Sequence, residues 1–211
     1  MYTELMVVGG LFWSLTYILI IRRGFKDKTF GMPLVALCAN ISWEAIFSLI
    51  YPPSPPQLYI NYAWFTLDIV IVFQFLRFGK SEFPEFQIKK FYSVFSLMSL
   101  IAFGLIFAIS YELHDFLGVY TAFGQNLVMS ILFVTMLLGR NGVRGQSMYI
   151  ALFKMLGTGV ISLAFYLYQP ISQESVLLPS LYVSIFVVDV LYLILLYRKS
   201  KESKISPWFR P

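Results

Sequence analysis

Charge is scarce in this 211-residue chain, which has 16 basic and 11 acidic side chains, 13% of the total. A typical soluble domain carries roughly twice that share. With 58% hydrophobic residues, the chain is too apolar for a disordered segment. It also has too little positive surface for a nucleic-acid-binding domain, so no nucleic acid is expected as a partner. A single cysteine, Cys38, excludes an intrachain disulfide, and a single histidine, His114, leaves no Cys/His cluster for a transition metal. No Gly-rich phosphate loop, Walker motif or Gly-x-Ser-x-Gly elbow occurs. Paired aspartates of the kind that gather Mg²⁺ around a diphosphate are missing too, so neither a metal nor a cofactor is expected. The last apolar segment has no lysine, which argues against a retinal Schiff base.

What the chain does have is long apolar runs. A spanning helix needs about 20 mostly apolar residues, and seven such stretches can be marked, near 4–21, 32–51, 58–78, 91–110, 116–139, 148–168 and 176–197. They leave room only for short loops, so the expected architecture is all-α: one seven-helix transmembrane domain over 1–211, a multi-pass protein of the lipid bilayer. The first stretch lacks a basic n-region and is followed by Arg22, Arg23, Lys26 and Lys28, so it reads as a span and not as a cleaved signal peptide. Prolines punctuate the runs: Pro33 at a helix start, Pro52, Pro53, Pro55 and Pro56 after the second, Pro84 after the third and Pro170 after the sixth.

The basic residues set an orientation. Fifteen of the 16 lie in 22–28, 77–90, 140–144 and 198–210, and the alternate loops hold none. The positive-inside rule then places the N-terminus outside and the C-terminus in the cytoplasm. An odd number of spans requires the same. The membrane is the bacterial inner membrane, or the endoplasmic reticulum of a eukaryote. The remaining basic residue, Lys154, lies near the basic-side end of the sixth helix, where its stem can snorkel. A weak echo aligns Asp68 with Asp189, Arg77 with Arg198, and Arg22 with Arg140. It predicts a 3+1+3 parallel pseudo-repeat, although any two apolar helices ending in basic residues align about as well.

Three acids lie deep in apolar segments: Glu44 in the second, Asp68 in the third and Asp189 in the seventh. A carboxylate at a span's centre costs roughly 2.5–3.5 kcal/mol on insertion scales, and no basic residue is evident at their depth. Such acids either hydrogen-bond between helices or serve chemistry in an internal cavity, where an apolar setting favours the neutral acid, a competent proton donor. Aromatic and amide side chains recur beside them at helical spacing: Asn40, Trp43, Phe47 and Tyr51 around Glu44; Asn61, Trp64 and Phe75 around Asp68; Tyr182, Phe186 and Tyr192 around Asp189. Gln125 and Asn126 add uncharged polar groups in the fifth segment. An aromatic stripe alone is usually packing. Beside buried acids, it suits a cavity that makes or holds a cation, with Trp43, Trp64, Asn40, Phe47, Gln125, Asn126, Phe186 and Tyr192 as its candidate lining.

These motifs carry a resemblance. Met32-Pro33-Leu34, Asn40-Ile41-Ser42-Trp43-Glu44, Trp64-x-x-Leu67-Asp68, Gly124-Gln125-Asn126 and Asp189-x-x-Tyr192 resemble, in order and placement, the small integral-membrane terpene cyclases. That family acts in fungal meroterpenoid and indole-diterpene pathways and in bacterial drimentine-type pathways. The resemblance covers essentially the whole chain and implies seven helices with short loops. It implies a hydrophobic prenylated aromatic substrate of the farnesyl or geranylgeranyl class. The implied chemistry is metal-independent: protonation of the terminal alkene or epoxide, then cationic polycyclisation of an isomerase or lyase kind. By motif, Glu44 and Asp189 are the implied catalytic acids, either one the donor, and Asp68 supports them by hydrogen bonding. The rival reading is a proton-coupled carrier of the seven-helix PQ-loop type, for which Pro56-Gln57 is a weak signature.

Overall fold

A computed structural model describes residues 1–83, 88–140 and 142–210; Pro84, expected in a loop, lies outside them. Among the described residues there are eight helices and no strand: α1 (Tyr2–Asp27), α2 (Leu34–Ala45), α3 (Gln57–Phe78), α4 (Ile88–Glu112), α5 (Val119–Gly139), α6 (Met148–Tyr168), the single turn α7 (Pro170–Gln173) and α8 (Leu177–Glu202). Six helical stretches are long and apolar enough to cross a membrane. The second apolar segment is shorter, 17 residues from Leu34 to Ile50. Seven apolar helices therefore stand where seven apolar runs are read, and α7 fills the connection after Pro170.

The chain's local chemistry accounts for the boundaries. Pro33 caps α2, whose last turn widens into a π-helical turn over Ile46–Ile50. There the Tyr51 N–H bonds to the Ile46 carbonyl. The Phe47 carbonyl would look for its donor at Pro52, which has no N–H. Asn61 of α3 supplies one instead, Nδ2 to O at 3.0 Å. The Ser147 hydroxyl accepts the Tyr149 N–H at 3.2 Å and caps α6.

Packing follows a regular scheme. Helix α3 packs on both α1 and α2, and α8 packs on both α5 and α6; the two groups join through α1 on α6 and α2 on α5, while α4 leans on α2. The α1–α6 crossing is close because glycines face each other. A Cβ on Gly9 would lie 2.4 Å from Ile161 Cγ1, and one on Gly157 would lie 3.3 Å from the Gly9 carbonyl. Small residues at a crossing are a common means of helix association in lipid. Outward faces stay apolar, with Leu11, Leu97, Leu100, Val183 and Val187 all exposed.

The basic segments meet at one end of the bundle. Arg140 donates to Glu82 Oε2 at 2.8 and 3.1 Å and to the Phe30 carbonyl at 3.1 Å. Asp27 pairs with Arg23 and with Arg210 from the far C-terminus. Burial lowers the pKa of the Arg140 guanidinium, while the adjacent Glu82 charge raises it; a guanidinium stays charged throughout.

One expectation is corrected here. Lys154 does not snorkel: it is 1% exposed and ion-paired with Asp189 at 2.8 Å. The sixth helix begins at Met148, six residues earlier, which sets Lys154 well inside the bundle. Asp189 consequently does have a basic partner at its own depth.

Candidate active site

A cavity of about 420 Å³ lies among α1, α2, α3, α5 and α6, within the size range of small-molecule pockets. Its mouth, formed by exposed Thr3, Val7, Ser54, Pro56 and Leu117, is at the end of the bundle away from the basic segments. Trp13, Trp43, Trp64, Phe123 and Phe165 contribute most of its aromatic wall. Two of the tryptophans are held by their own N–H: Trp43 Nε1 donates to the Gly118 carbonyl at 3.0 Å and Trp64 Nε1 to Ser14 Oγ at 3.1 Å. Fixing the polar edge in this way turns the rings into a defined surface.

Glu44 is the one acid lining the cavity among the described residues. Only 2% of it is exposed. Its Oε1 receives a long contact from Tyr17 Oη at 3.5 Å, and its Oε2 has no partner. Tyr17 Oη in turn accepts from Asn40 Nδ2 at 2.6 Å, and the same Nδ2 donates to Asp68 Oδ2 at 2.7 Å. Glu44, Tyr17, Asn40 and Asp68 thus form a chain across α2, α1, α2 and α3, with Glu44 at the cavity and Asp68 behind the wall. Across the cavity, Asn126 Nδ2 donates to Thr158 Oγ1 at 2.9 Å. The carbonyl oxygens of Asn126 and Gln125 have no partner. An unsatisfied buried acceptor costs about 1–3 kcal/mol, and three such atoms stand around this one cavity, able to receive donors from a bound molecule.

Of the residues read from the sequence, Glu44, Asn40, Trp43, Trp64, Gln125 and Asn126 line this cavity. Asp68 reaches it only through Asn40. Phe47 lies behind Trp43, ring centroids 4.8 Å apart. Asp189, Tyr192 and Phe186 are not in the lining. Tyr192 is buried and donates to Gln146 Oε1 at 2.9 Å. Phe186 is a correction, being 53% exposed on the outer face. The buried seam of α8 runs through Leu178, Tyr182, Ile185, Asp189, Tyr192 and Leu196, in steps of four and three. Phe186 falls just off that seam, although it is three residues from Asp189.

Trp13, Tyr17 and Thr158 were not anticipated. Trp13 and Tyr17 are four apart on α1, the spacing of one helical face, and that spacing was the available signal. Among the described residues no group of three His, Cys, Asp or Glu side chains converges as a metal-ligand set would.

The sequence profile of the Pyr4-like transmembrane terpene cyclases matches residues 1–202. The chain is similar to the Pyr4-family terpene cyclase mfmH of Annulohypoxylon moriforme, 33% identical over 165 residues, which are 76% of this chain and 68% of the relative. It is 27% identical to the terpene cyclase macJ of Penicillium terrestre over 75% of this chain and 64% of that protein. With the asnovolin H synthase nvfL of Aspergillus novofumigatus the identity is 29%, over 73% of this chain and 65% of that protein. The alignments thus span about two thirds of the relatives' length. No solved structure matches.

Proposed function

The chain belongs to the Pyr4-like transmembrane terpene cyclases, and from that premise we propose that Glu44 is the proton donor of a membrane-embedded cyclisation. The substrate is a prenylated aromatic compound of the farnesyl or geranylgeranyl class. One observation carries the reading: Glu44 is the acid on an aromatic-walled cavity, with one carboxyl oxygen unpartnered.

The chemistry balances within the site. The carboxyl O–H proton passes to the terminal alkene carbon, whose π pair forms the new C–H bond, or to the epoxide oxygen, whose C–O bond breaks to leave a hydroxyl; the remaining alkene π pairs then shift in turn to form the ring bonds. The last cation then loses a proton or is captured by a nucleophile. Loss of a proton gives an isomer of the substrate, and the Glu44 carboxylate is recharged with that proton or one from solvent. No leaving group departs, so this initiation asks for no metal. Trp13, Trp43 and Trp64 offer π faces to the migrating charge, each worth about 0.5–2 kcal/mol when desolvated. Asp68 is a positioning residue, holding Asn40 and through it Tyr17 against Glu44.

Seven crossings with the N-terminus outside complete the reading. At 1.5 Å per residue, the Leu34–Ile50 segment reaches about 25 Å, close to the hydrocarbon thickness of about 30 Å. The meeting of the basic segments at one end of the bundle supports the topology. The matched packing of α3 on α1 and α2, and of α8 on α5 and α6, supports the parallel repeat. Family membership does not favour the carrier.

The test uses purified protein in nanodiscs with farnesylated and geranylgeranylated aromatics, with and without a terminal epoxide, in the presence of a chelator. Glu44→Gln should lower cyclised product by at least the 10²–10⁴-fold typical of a lost general acid, while the variant remains folded. Product formation within tenfold of the parent in Glu44→Gln would remove Glu44 as donor.

A further inference from the structure

The ammonium of Lys154 uses all of its donor capacity inside the bundle. It donates to Asp189 Oδ1 at 2.8 Å, to Asp189 Oδ2 at 3.1 Å and to Ser130 Oγ at 2.6 Å. It also stands 5.8 Å from the ring of Trp13, which lines the cavity. Neither Lys154 nor Asp189 does so. A carboxylate with both oxygens engaged by an ammonium, set behind the wall, is poorly placed to hand a proton to a substrate.

The other half of the bundle holds a matching arrangement. There Asn40 of α2 donates to Tyr17 of α1 and to Asp68 of α3. Here Lys154 of α6 donates to Ser130 of α5 and to Asp189 of α8. In both, the second helix supplies a donor that ties a hydroxyl on the first to an acid on the third. The donors differ in charge. The neutral amide of Asn40 leaves Asp68 Oδ1 unpartnered and joins a chain that ends at Glu44. The ammonium of Lys154 closes its own acid. One node therefore communicates with the cavity and the other is satisfied within itself.

We propose that Lys154 and Asp189 are positioning residues of the cyclase: their ion pair fixes α5, α6, α8 and the Trp13 wall, and Asp189 does not deliver the initiating proton. This rests on the reading of Glu44 as donor. Breaking a buried pair from one side leaves an uncompensated charge, whereas replacing both members by apolar residues is often tolerated. The two roles for Asp189 therefore diverge in a double variant.

The experiment compares Asp189→Asn, Lys154→Met and the double variant Lys154→Met/Asp189→Leu in nanodiscs, scoring product per folded protein, kcat and KM separately, and the pH–rate profile. Each single variant is expected to lose more than tenfold in activity. The double variant should return to within tenfold of the parent kcat with an unchanged pH profile. Its KM should be raised, because Trp13 has lost its ammonium. A folded double variant as inactive as Asp189→Asn, or one with a displaced pH profile, overturns the proposal. If the double variant does not fold, the charge-reversed Lys154→Asp/Asp189→Lys replaces it: activity there supports the pair, and a folded inactive protein or failure to fold beside a folded Asp189→Asn refutes it. Glu44→Gln run in parallel separates the two claims, since its activity reports on the donor and the double variant's recovery reports on the pair.

Discussion

Replacing Gly118 by alanine should damage this protein without altering any charged group. Gly118 caps α5 with φ +69°, a left-handed conformation that costs an L-residue roughly 1–2 kcal/mol. The added Cβ would lie 2.4 Å from Phe47 Cε2 and Cζ and 2.7 Å from Trp43 Nε1. Neither ring can retreat freely: Phe47 is 1% exposed, and Trp43 is tethered to the Gly118 carbonyl itself. Overpacking of this kind adds about 1–3 kcal/mol, for a total of about 2–5 kcal/mol. Gly124 is the internal control, since it is helical and a Cβ there meets nothing within 4 Å. Gly124→Ala should stabilise the helix by about 0.5–1 kcal/mol. Thermal unfolding in nanodiscs reads both, at about 2–4 °C per kcal/mol for a chain of this size. Gly118→Ala should also lower kcat/KM, because the Trp43 wall moves. Equal shifts for the two variants, or a neutral Gly118→Ala, would refute both the strain and the claim that this turn shapes the cavity.

Two further outcomes follow from buried polar contacts. Asn40→Leu removes the donor shared by Tyr17 and Asp68, leaving buried groups unpartnered at about 1–3 kcal/mol each; its effect on unfolding should be markedly non-additive with Asp68→Leu, whereas additivity within about 0.5 kcal/mol would mean that the two side chains do not interact. Arg140→Ala should destabilise by about 1–3 kcal/mol, because Glu82 loses its closest cation and keeps only the Thr29 hydroxyl and the more distant Arg144, and Arg140→Lys should recover little, because a single ammonium cannot reproduce the forked contacts to Glu82 and Phe30; full recovery by lysine in a chemical-denaturation series would show that only the charge matters.

Much of the architecture was legible because lipid imposes a simple demand. Every backbone polar group must be satisfied within its own helix, so apolar runs of about 20 residues read directly as helices, and the observed ends of α6, Met148–Tyr168, coincide with the run 148–168. Proline chemistry marked the turns, and Glu44 was noticeable because a carboxyl in such a run is expensive. Its wall was partly legible too. Asn40 and Trp43 lie four and one residues from Glu44 on a single helix, and Trp64 lies four from Asp68.

What the one-dimensional pattern left open was which face meets which neighbour. Spacings of three and four both keep residues on one broad side of a helix, so spacing alone does not separate Ile185 from Phe186, four and three residues before Asp189. Packing of α8 on α5 and α6 buried Ile185 and turned Phe186 outward. Lys154 and Asp189 are 35 positions apart, and no local periodicity links them. Only the α6–α8 contact turns two costly charges into one pair. Tyr17 likewise reaches Glu44 because glycines let α1 approach α6 closely and α3 holds its other side. Composition and hydropathy therefore determined that this is a helical membrane protein with acids at unusual depth. The helix packing decided which acid faces the cavity, because side-chain partnership depends on the contact between helices and not on any single helix's sequence.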